Sequence, residues 1–113
     1  LVHNVCGEVP DSLMEGEADT DVYFGVKDGD KVYVGISKNV PARENQHGER
    51  FDYLSKITKQ KLTRRQARAI EQVLIELNRG KFQNLINSIS SERDWYDEAK
   101  SWGFSWLENM DII

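Results

Sequence analysis

Asp21-Val-Tyr-Phe-Gly-Val26 and Lys31-Val-Tyr-Val-Gly-Ile-Ser37 are two apolar runs separated by the four residues Lys27-Asp-Gly-Asp30. An Asp-Gly pair between runs rich in β-branched and aromatic residues predicts a β-hairpin. Because residues two apart on a strand share a face, Tyr23 lies opposite the apolar side chains of its own strand, and Tyr33 does the same on the next strand. The apolar residues are Val22, Phe24 and Val26 on the first strand and Val32, Val34 and Ile36 on the second. Each predicted strand therefore has one apolar face and one face that carries a tyrosine.

A short helix is predicted directly after the hairpin. Asn39 suits the N-cap, and Pro41 suits the first turn, where its missing N–H costs nothing. Gly48 can end the segment in a left-handed conformation. Arg43 and His47 are four residues apart, so we expect both side chains to project from one side of this helix.

A second helix is indicated by the capping-box spacing of Thr63 and Gln66 and by the stop signal Asn78-Arg-Gly80. Glu71 borders its apolar face, where a carboxylate could face a pocket at the sheet rather than bulk water. That apolar face consists of Ala67, Ile70, Leu74 and Leu77.

Two further segments complete the secondary-structure prediction. Phe51-Asp-Tyr-Leu-Ser-Lys-Ile57 is compatible with a third strand or with an irregular connection. Ser90-Ser-Glu-Arg-Asp94 is predicted to open a last helix that Gly103 follows. Its aromatic stripe fits a core face better than a base-stacking face, since the segment is acidic; the stripe is Trp95, Ala99 and Trp102.

Length and composition limit the chain to one small domain. With 113 residues, 39% of them hydrophobic and 30% charged, it is large enough for a single core. No apolar run reaches membrane-spanning length, so we expect no membrane partner. Cys6 is the only cysteine and cannot form an internal disulfide. Residues 1–20 lack periodicity and are predicted to be poorly ordered or loosely docked.

The net charge of −4 conceals a strong partition along the chain. Residues 8–21 contain six acids and no bases, residues 22–81 contain thirteen bases and seven acids, and the remainder contains six acids and two bases. The basic middle segment could lie along a phosphate backbone, although most charge runs are solvated helix faces. Six of its bases form a candidate nucleic-acid-binding cluster: Lys56, Lys59, Lys61, Arg64, Arg65 and Arg68.

The order and spacing of five polar residues resemble the GIY-YIG nuclease superfamily. The five are Tyr23, Tyr33, Arg43, His47 and Glu71. The resemblance covers roughly residues 21–79 and implies a small antiparallel sheet flanked by helices, with one divalent cation at the site. The first motif reads Asp21-Val-Tyr23 where the family has Gly-Ile-Tyr, and Tyr33-Val-Gly35 carries Val for Ile.

The resemblance also implies a role for each residue in phosphodiester hydrolysis. Glu71 would hold Mg²⁺ or another divalent cation such as Mn²⁺, since one carboxylate plus waters can suffice for a hard ion. Arg43 would contact the scissile phosphate with its forked donors. Tyr23 would accept the proton of the attacking water, and Tyr33 would orient the phosphate or that water. His47 could be the base instead, or could simply cap and pack.

Two further similarities point to a toxin. Leu1-Val-His-Asn4 resembles the end of the intein-like Hint module that precedes the toxin tip of secreted bacterial polymorphic toxins, although Val5 separates Asn4 from Cys6. Three C-terminal stretches resemble the tail that follows GIY-YIG modules in such toxins: Asn84–Ser90, Trp95–Ala99 and Trp102-Gly103. A cognate immunity protein, delivery as part of a larger secreted or cell-surface protein, and action in the target-cell cytoplasm are implied.

The sequence therefore predicts an α/β domain over residues 21–113, preceded by a junction over residues 1–20. The sheet is expected to have three antiparallel strands with helices packed on it. The predicted function is metal-dependent hydrolysis of nucleic acid by a monomer, with DNA favoured and RNA, including transfer RNA, open. A catalytically inert nucleic-acid-binding module and a protein-interaction domain are the alternatives, because a fold alone does not fix a function.

Overall fold

A four-stranded antiparallel sheet and three α-helices form the part of the chain that this computed structural model describes, residues 9–113. The sheet is built from residues 18–63; α2 packs on one of its faces, and α3 packs on α2. The elements are β1 (Ala18–Lys27), β2 (Asp30–Ser37), α1 (Val40–His47), β3 (Tyr53–Lys56), β4 (Leu62–Thr63), α2 (Arg64–Leu77) and α3 (Tyr96–Asn109).

The sheet has the order β2-β1-β3, and β4 pairs with the first part of β1. The predicted hairpin is confirmed, since β1 and β2 pair antiparallel with Tyr23 opposite Gly35. Asp28 and Gly29 both have positive φ, 53° and 83°, as a two-residue hairpin turn requires. The predicted α/β class with a helix-flanked sheet is confirmed, and the two-residue β4 is added to the three expected strands.

The segment left open between strand and irregular connection contains β3. It pairs antiparallel with the second half of β1, with Lys56 opposite Tyr23 and Tyr53 opposite Val26. At the outer edge of β3, the Leu54 N–H donates to the Glu44 carboxylate of α1 at 2.8 Å. This contact ties α1 to the sheet, so the helix that carries Arg43 and His47 sits beside the strand pair.

Local capping signals place the first two helices as predicted. The Asn39 side chain accepts from the Ala42 N–H at 3.1 Å, and Gly48 ends α1 with φ 60°. At the start of α2 the Thr63 hydroxyl accepts from the Gln66 N–H, and the Gln66 side chain accepts in return from the Thr63 N–H. Side chains at the N-termini therefore satisfy one free backbone N–H of α1 and two at the start of α2, which fixes where each helix begins.

The core lies between one sheet face and the α2–α3 pair. Gly103 was predicted to follow the last helix, and this prediction is wrong: α3 starts at Tyr96 and runs through Gly103 to Asn109. A Cβ at Gly103 would lie 2.8 Å from the Ala69 carbonyl oxygen, so the glycine allows α3 to approach the α2 backbone closely. The core comprises Val22, Phe24, Val34, Ala67, Ile70, Leu74, Ile89, Trp95, Ala99, Trp102 and Leu107 with its neighbours.

The N-terminal boundary also differs from the expected one. Leu13, in a short 3₁₀ turn, is completely buried, and its carbonyl accepts from the Thr63 hydroxyl. The turn around Leu13 therefore packs on the domain, and β1 already begins at Ala18, while residues 14–18 are exposed. The His3-Asn4 pair and Cys6, on which the predicted Hint junction depends, lie outside the described residues.

Candidate active site

Tyr23 is completely buried on the sheet face opposite the core. Its ring lies across β2 at Gly35, where a Cβ would come within 2.4 Å of the Tyr23 hydroxyl oxygen. That hydroxyl lies 3.0 Å from Nε2 of His47, to which it donates in the tautomer protonated on Nδ1. The glycine of one strand thus makes room for the tyrosine of the other, and α1 supplies its hydrogen-bond partner.

An aromatic cluster holds these groups in place. The ring centroids of Tyr23 and Tyr33 are 6.3 Å apart, and the His47 ring lies 5.6 Å from that of Tyr33. Phe51, which the sequence did not single out, packs 5.0 Å from His47 and 5.2 Å from Tyr33. The His47 ring makes edge-to-face contacts with Tyr33 and Phe51, and the other two ring pairs are tilted; such contacts fix ring orientation and contribute about 0.5–1.5 kcal/mol each. The two tyrosines and the histidine are therefore preorganised.

Burial sets the protonation of the cluster. Desolvation, reinforced by neighbouring Tyr33 and opposed by Arg43, raises the pKa of Tyr23 to about 12. Desolvation and the Glu71 carboxylate raise the pKa of Tyr33, against the effect of Arg50 and Arg43. The pKa of His47 is lowered by desolvation and then by the two arginines. At neutral pH both phenols are protonated and the imidazole is neutral, so His47 can accept a proton.

Glu71 and Arg43 meet at an open cavity of about 360 Å³ beside the cluster. Burial raises the pKa of Glu71, while a hydrogen bond with Ser88 and then the nearby arginines act in the opposite direction. Three cations surround one carboxylate, which leaves the cavity with excess positive charge suited to an anion. The cavity is lined by Tyr33, Ile36, Arg43, Arg64, Arg68, Glu71 and Ser88.

All five residues of the sequence motif are thus brought to one place. Tyr23 and Tyr33 come from β1 and β2, Arg43 and His47 from α1, and Glu71 from α2. Tyr33 connects the two groups of residues, because it belongs to the aromatic cluster and also lines the cavity that holds Arg43 and Glu71. Four elements distant in sequence therefore contribute to a single polar centre.

The six lysines and arginines of the predicted nucleic-acid-binding cluster, by contrast, lie in different places. Arg64 and Arg68 line the cavity, and the Arg68 guanidinium also donates to the Ser88 carbonyl. Lys61 is paired with buried Asp21 at 2.6 Å, and Arg65 is paired with Glu15 at 3.4 Å. Lys56 and Lys59 are exposed on the far end of β3 and the loop after it. Two of the six predicted phosphate contacts therefore lie at the site, and two others hold the fold.

Two contributors were not anticipated as site residues. The Arg50 guanidinium lies 4.7 Å from the Tyr33 ring centroid and donates to the Gln83 side chain at 3.1 Å. Asn84 pairs with the edge of β2, accepting from the Val34 N–H at 3.0 Å and donating to the Val34 carbonyl at 2.8 Å. The segment around Asn84 was noticed only through the family resemblance, because it has no periodicity of its own.

The donor set fits one weakly held hard cation. Among residues 9–113 no group of three or more His, Cys, Asp or Glu side chains is placed to hold a metal ion. Glu71 is a single carboxylate in a polar, open cavity. Mg²⁺ keeps several waters and is often bound through one or two carboxylates plus substrate phosphate oxygens. The cavity has the chemistry for that kind of site and lacks the ligands of a structural metal centre.

Comparisons of this chain with protein-family models, with curated proteins and with solved structures find no match. The resemblance to GIY-YIG nucleases therefore stays a prediction from sequence motifs. Within the described residues, no helix is long and apolar enough to cross a bilayer.

Proposed function

We propose that this domain is a Mg²⁺- or Mn²⁺-dependent nuclease that hydrolyses phosphodiester bonds of nucleic acid at the Tyr23–Tyr33–Arg43–His47–Glu71 centre. The observation that supports the proposal is the convergence of these residues from four elements on one preorganised site. The five residues come from distant parts of the sequence, yet Tyr23, Tyr33 and His47 form one aromatic cluster, and Tyr33, Arg43 and Glu71 line the adjoining cavity. The electropositive cavity fits a phosphodiester, whose phosphate carries a negative charge.

Arg43 and Glu71 have complementary roles at the phosphate. Arg43 presents forked donors to the phosphoryl oxygens, and Arg64 lines the same cavity. Glu71 would hold the divalent cation, which when bound supplies charge stabilisation on the phosphoryl group and help for the leaving oxygen. Tyr33, protonated at neutral pH, can donate its hydroxyl hydrogen to a phosphoryl oxygen.

The proton of the attacking water passes to the Tyr23–His47 pair. A phenol with a pKa of about 12 does not ionise at neutral pH, so Tyr23 alone is a weak base. His47, neutral and 3.0 Å away, takes the phenol proton as the phenol oxygen takes the proton of water. The pair thus combines the two alternatives for the base: the Tyr23 hydroxyl, which is completely buried until water reaches it, relays the proton, and His47 stores it.

A pair of shape-conserving substitutions tests the metal role. Glu71→Gln keeps the shape of the side chain but gives a far weaker ligand for a hard cation, so cleavage should fall at least a hundredfold, roughly the loss for a group that acts at the reaction centre. Glu76→Gln is the matched control, because Glu76 lies on the same helix but pairs with Lys100 at 2.9 Å, outside the cavity. Plasmid DNA and total RNA are the substrates, with magnesium, manganese or chelator.

Three outcomes decide the proposal. Metal-dependent cleavage lost in Glu71→Gln and kept in Glu76→Gln supports it. Cleavage that persists in chelator or in Glu71→Gln contradicts the one-metal assignment. Binding without any cleavage by the wild-type protein would favour the inert nucleic-acid-binding module instead.

The biological setting that we propose is a toxin domain of a larger secreted or cell-surface protein, acting in the cytoplasm of competitor bacteria. DNA is the favoured substrate by resemblance. A small acidic immunity protein would silence it in the producer by covering Arg43 and the electropositive cavity. Expression of the wild-type domain in bacteria should be lethal and that of Glu71→Gln harmless; a folded, abundant and harmless wild-type domain would refute the toxin assignment.

A further inference from the structure

A second open cavity, of about 390 Å³, adjoins the first. It shares Tyr33, Glu71 and Ser88 with the cavity that holds Arg43, and it adds Arg50 and the segment Gln83–Asn87. A group bound in the second cavity would therefore be next to a phosphate bound in the first. Its volume is within the usual range for small-ligand sites and is compatible with one nucleoside.

The outer wall of this second cavity is apolar and exposed. Leu85 is 94% exposed and Ile86 is 82% exposed, the highest values among the exposed large hydrophobic residues that the structure describes. Scattered exposed apolar side chains need no explanation, but two adjacent ones on the wall of a polar site do. They offer an exposed aliphatic surface that the face of a base can cover.

Polar contacts hold both flanks of this pair in place. The Gln83 N–H donates to the Val32 carbonyl at 2.7 Å, and Asn84 pairs with Val34 through two hydrogen bonds. On the other side, the Arg68 side chain donates to the Ser88 carbonyl. The segment is therefore anchored along the β2 edge and to α2, while its two apolar side chains face outward.

Arg50 supplies charge at the same cavity. Its guanidinium stacks over the rings of Tyr33 and Phe51, at 4.7 and 4.8 Å from their centroids. Within residues 9–113 it is joined to no acidic side chain by a salt bridge, in contrast to Lys61 and Arg65. A guanidinium held beside the aromatic cluster is well placed to bind a phosphate.

We propose that the second cavity is a subsite for the nucleotide beside the scissile phosphate, held with its base unpaired. Leu85 and Ile86 pack on the exposed base face, and Arg50 binds the flanking phosphate. A base can lie on such a surface only when it is neither paired nor stacked within a helix, as in single strands, loops and bulges. The inference rests on the proposed nuclease function and narrows its substrate to nucleic acid with unpaired nucleotides.

The test measures binding separately from cleavage. All proteins carry Glu71→Gln, so that bound strands stay intact, and fluorescence anisotropy reports their affinity for a labelled single strand and for the same strand in a duplex, in DNA and RNA. We expect the single strand to bind about tenfold more tightly than the duplex, the order expected when one base face covers two aliphatic side chains. The double variant Leu85→Ser/Ile86→Ser should lose this preference.

Matched controls separate the subsite from general surface effects. Leu77→Ser/Ile113→Ser removes two exposed apolar residues from a cavity that shares no residue with either site cavity, and it should bind as the parent does. Arg50→Gln should weaken single-strand binding and reduce the slope of its salt dependence by about one ion. Circular dichroism of each variant checks that the fold is retained.

The results separate failure of the subsite from failure of the function. If Leu85→Ser/Ile86→Ser binds single strands as the parent does, or if the duplex is the preferred ligand and loses affinity in this variant, the unpaired-nucleotide subsite is refuted. In the second case the two side chains act as a wedge in duplex nucleic acid. Either result leaves Glu71-dependent cleavage intact, whereas absence of both binding and cleavage in the wild type refutes subsite and nuclease together.

Discussion

Gly35→Ala tests whether the position of the Tyr23 ring is essential for activity. The new Cβ would lie 2.4 Å from the Tyr23 hydroxyl oxygen and 2.5 Å from Cζ. Ordinary carbon contacts are about 3.5–4.0 Å, so the ring must move by roughly 1 Å. Gly35 does not have a positive φ, which means that alanine is compatible with the backbone and the conflict is steric.

Both stability and turnover should change. Overpacking of this kind costs about 1–3 kcal/mol in the free energy of unfolding, only partly offset by the lower chain entropy of alanine in the unfolded state. For a domain of this size that corresponds to a fall in Tm of roughly 4–12 °C. A 1 Å displacement of a catalytic group costs about a hundredfold in rate, so cleavage at 25 °C should fall by that factor.

Gly103→Ala is the matched control for the loss of stability. Its Cβ would lie 2.8 Å from the Ala69 carbonyl oxygen, between α2 and α3, and would destabilise the fold without touching the tyrosines. Thermal unfolding and oligonucleotide cleavage, both measured well below the Tm of each variant, separate the two effects. Wild-type turnover in Gly35→Ala, or an equal loss in both variants, would refute the argument that Gly35 positions Tyr23.

Three further predictions follow from the same contacts. Tyr23→Phe should slow cleavage about a hundredfold with little change in substrate affinity, whereas Tyr53→Phe, at an exposed position, should not; single-turnover kinetics distinguish them. Burial raises the pKa of Tyr23 to about 12 in the folded state, whereas the phenol of the unfolded chain has its ordinary pKa near 10. The stability that depends on the protonated, buried phenol is therefore fully present below pH 10 and is lost as the pH rises toward 12. Denaturant unfolding should therefore show a loss of roughly 2 kcal/mol over that interval in the wild type, and a smaller loss in Tyr23→Phe; equal losses would contradict the burial. Asn84→Leu removes both partners of the Val34 peptide groups and should lower the free energy of unfolding by roughly 1–3 kcal/mol, while no change would mean that water replaces the amide.

The parts of the fold that sequence reasoning predicted are those with local signals. The hairpin depends on the Asp28-Gly29 turn, and α2 depends on the Thr63–Gln66 capping box, so each is decided within a few residues. The site motif could be proposed because its spacing follows from these elements. Tyrosines in adjacent strands and an i, i+4 pair on the next helix have little choice of position once the strands and helix form.

The remaining features depend on contacts between residues distant in sequence, which the local sequence pattern does not indicate. Gly103 has the residue type of a helix stop, but it lies inside α3, where the close approach of the Ala69 backbone requires a residue without a Cβ. Lys61 and Arg65 have the same appearance in sequence as Arg64, yet acids from distant segments pair with the first two. Leu85 and Ile86 would be assigned to a core by composition, whereas the structure leaves both on the surface beside the site.

Asp21 occupies the position at which the GIY-YIG pattern has glycine, and its own contacts explain why an aspartate can stand there. The buried Asp21 carboxylate accepts from the Thr58 hydroxyl and from Lys61, each at 2.6 Å. Burial opposes ionisation of Asp21, but these two partners bring its pKa below the ordinary value, so the carboxylate is charged and paired at neutral pH. The position does not have a positive φ and needs no glycine. An ion pair at this point fixes β1 to the loop before β4, two residues from the tyrosine whose placement the site requires.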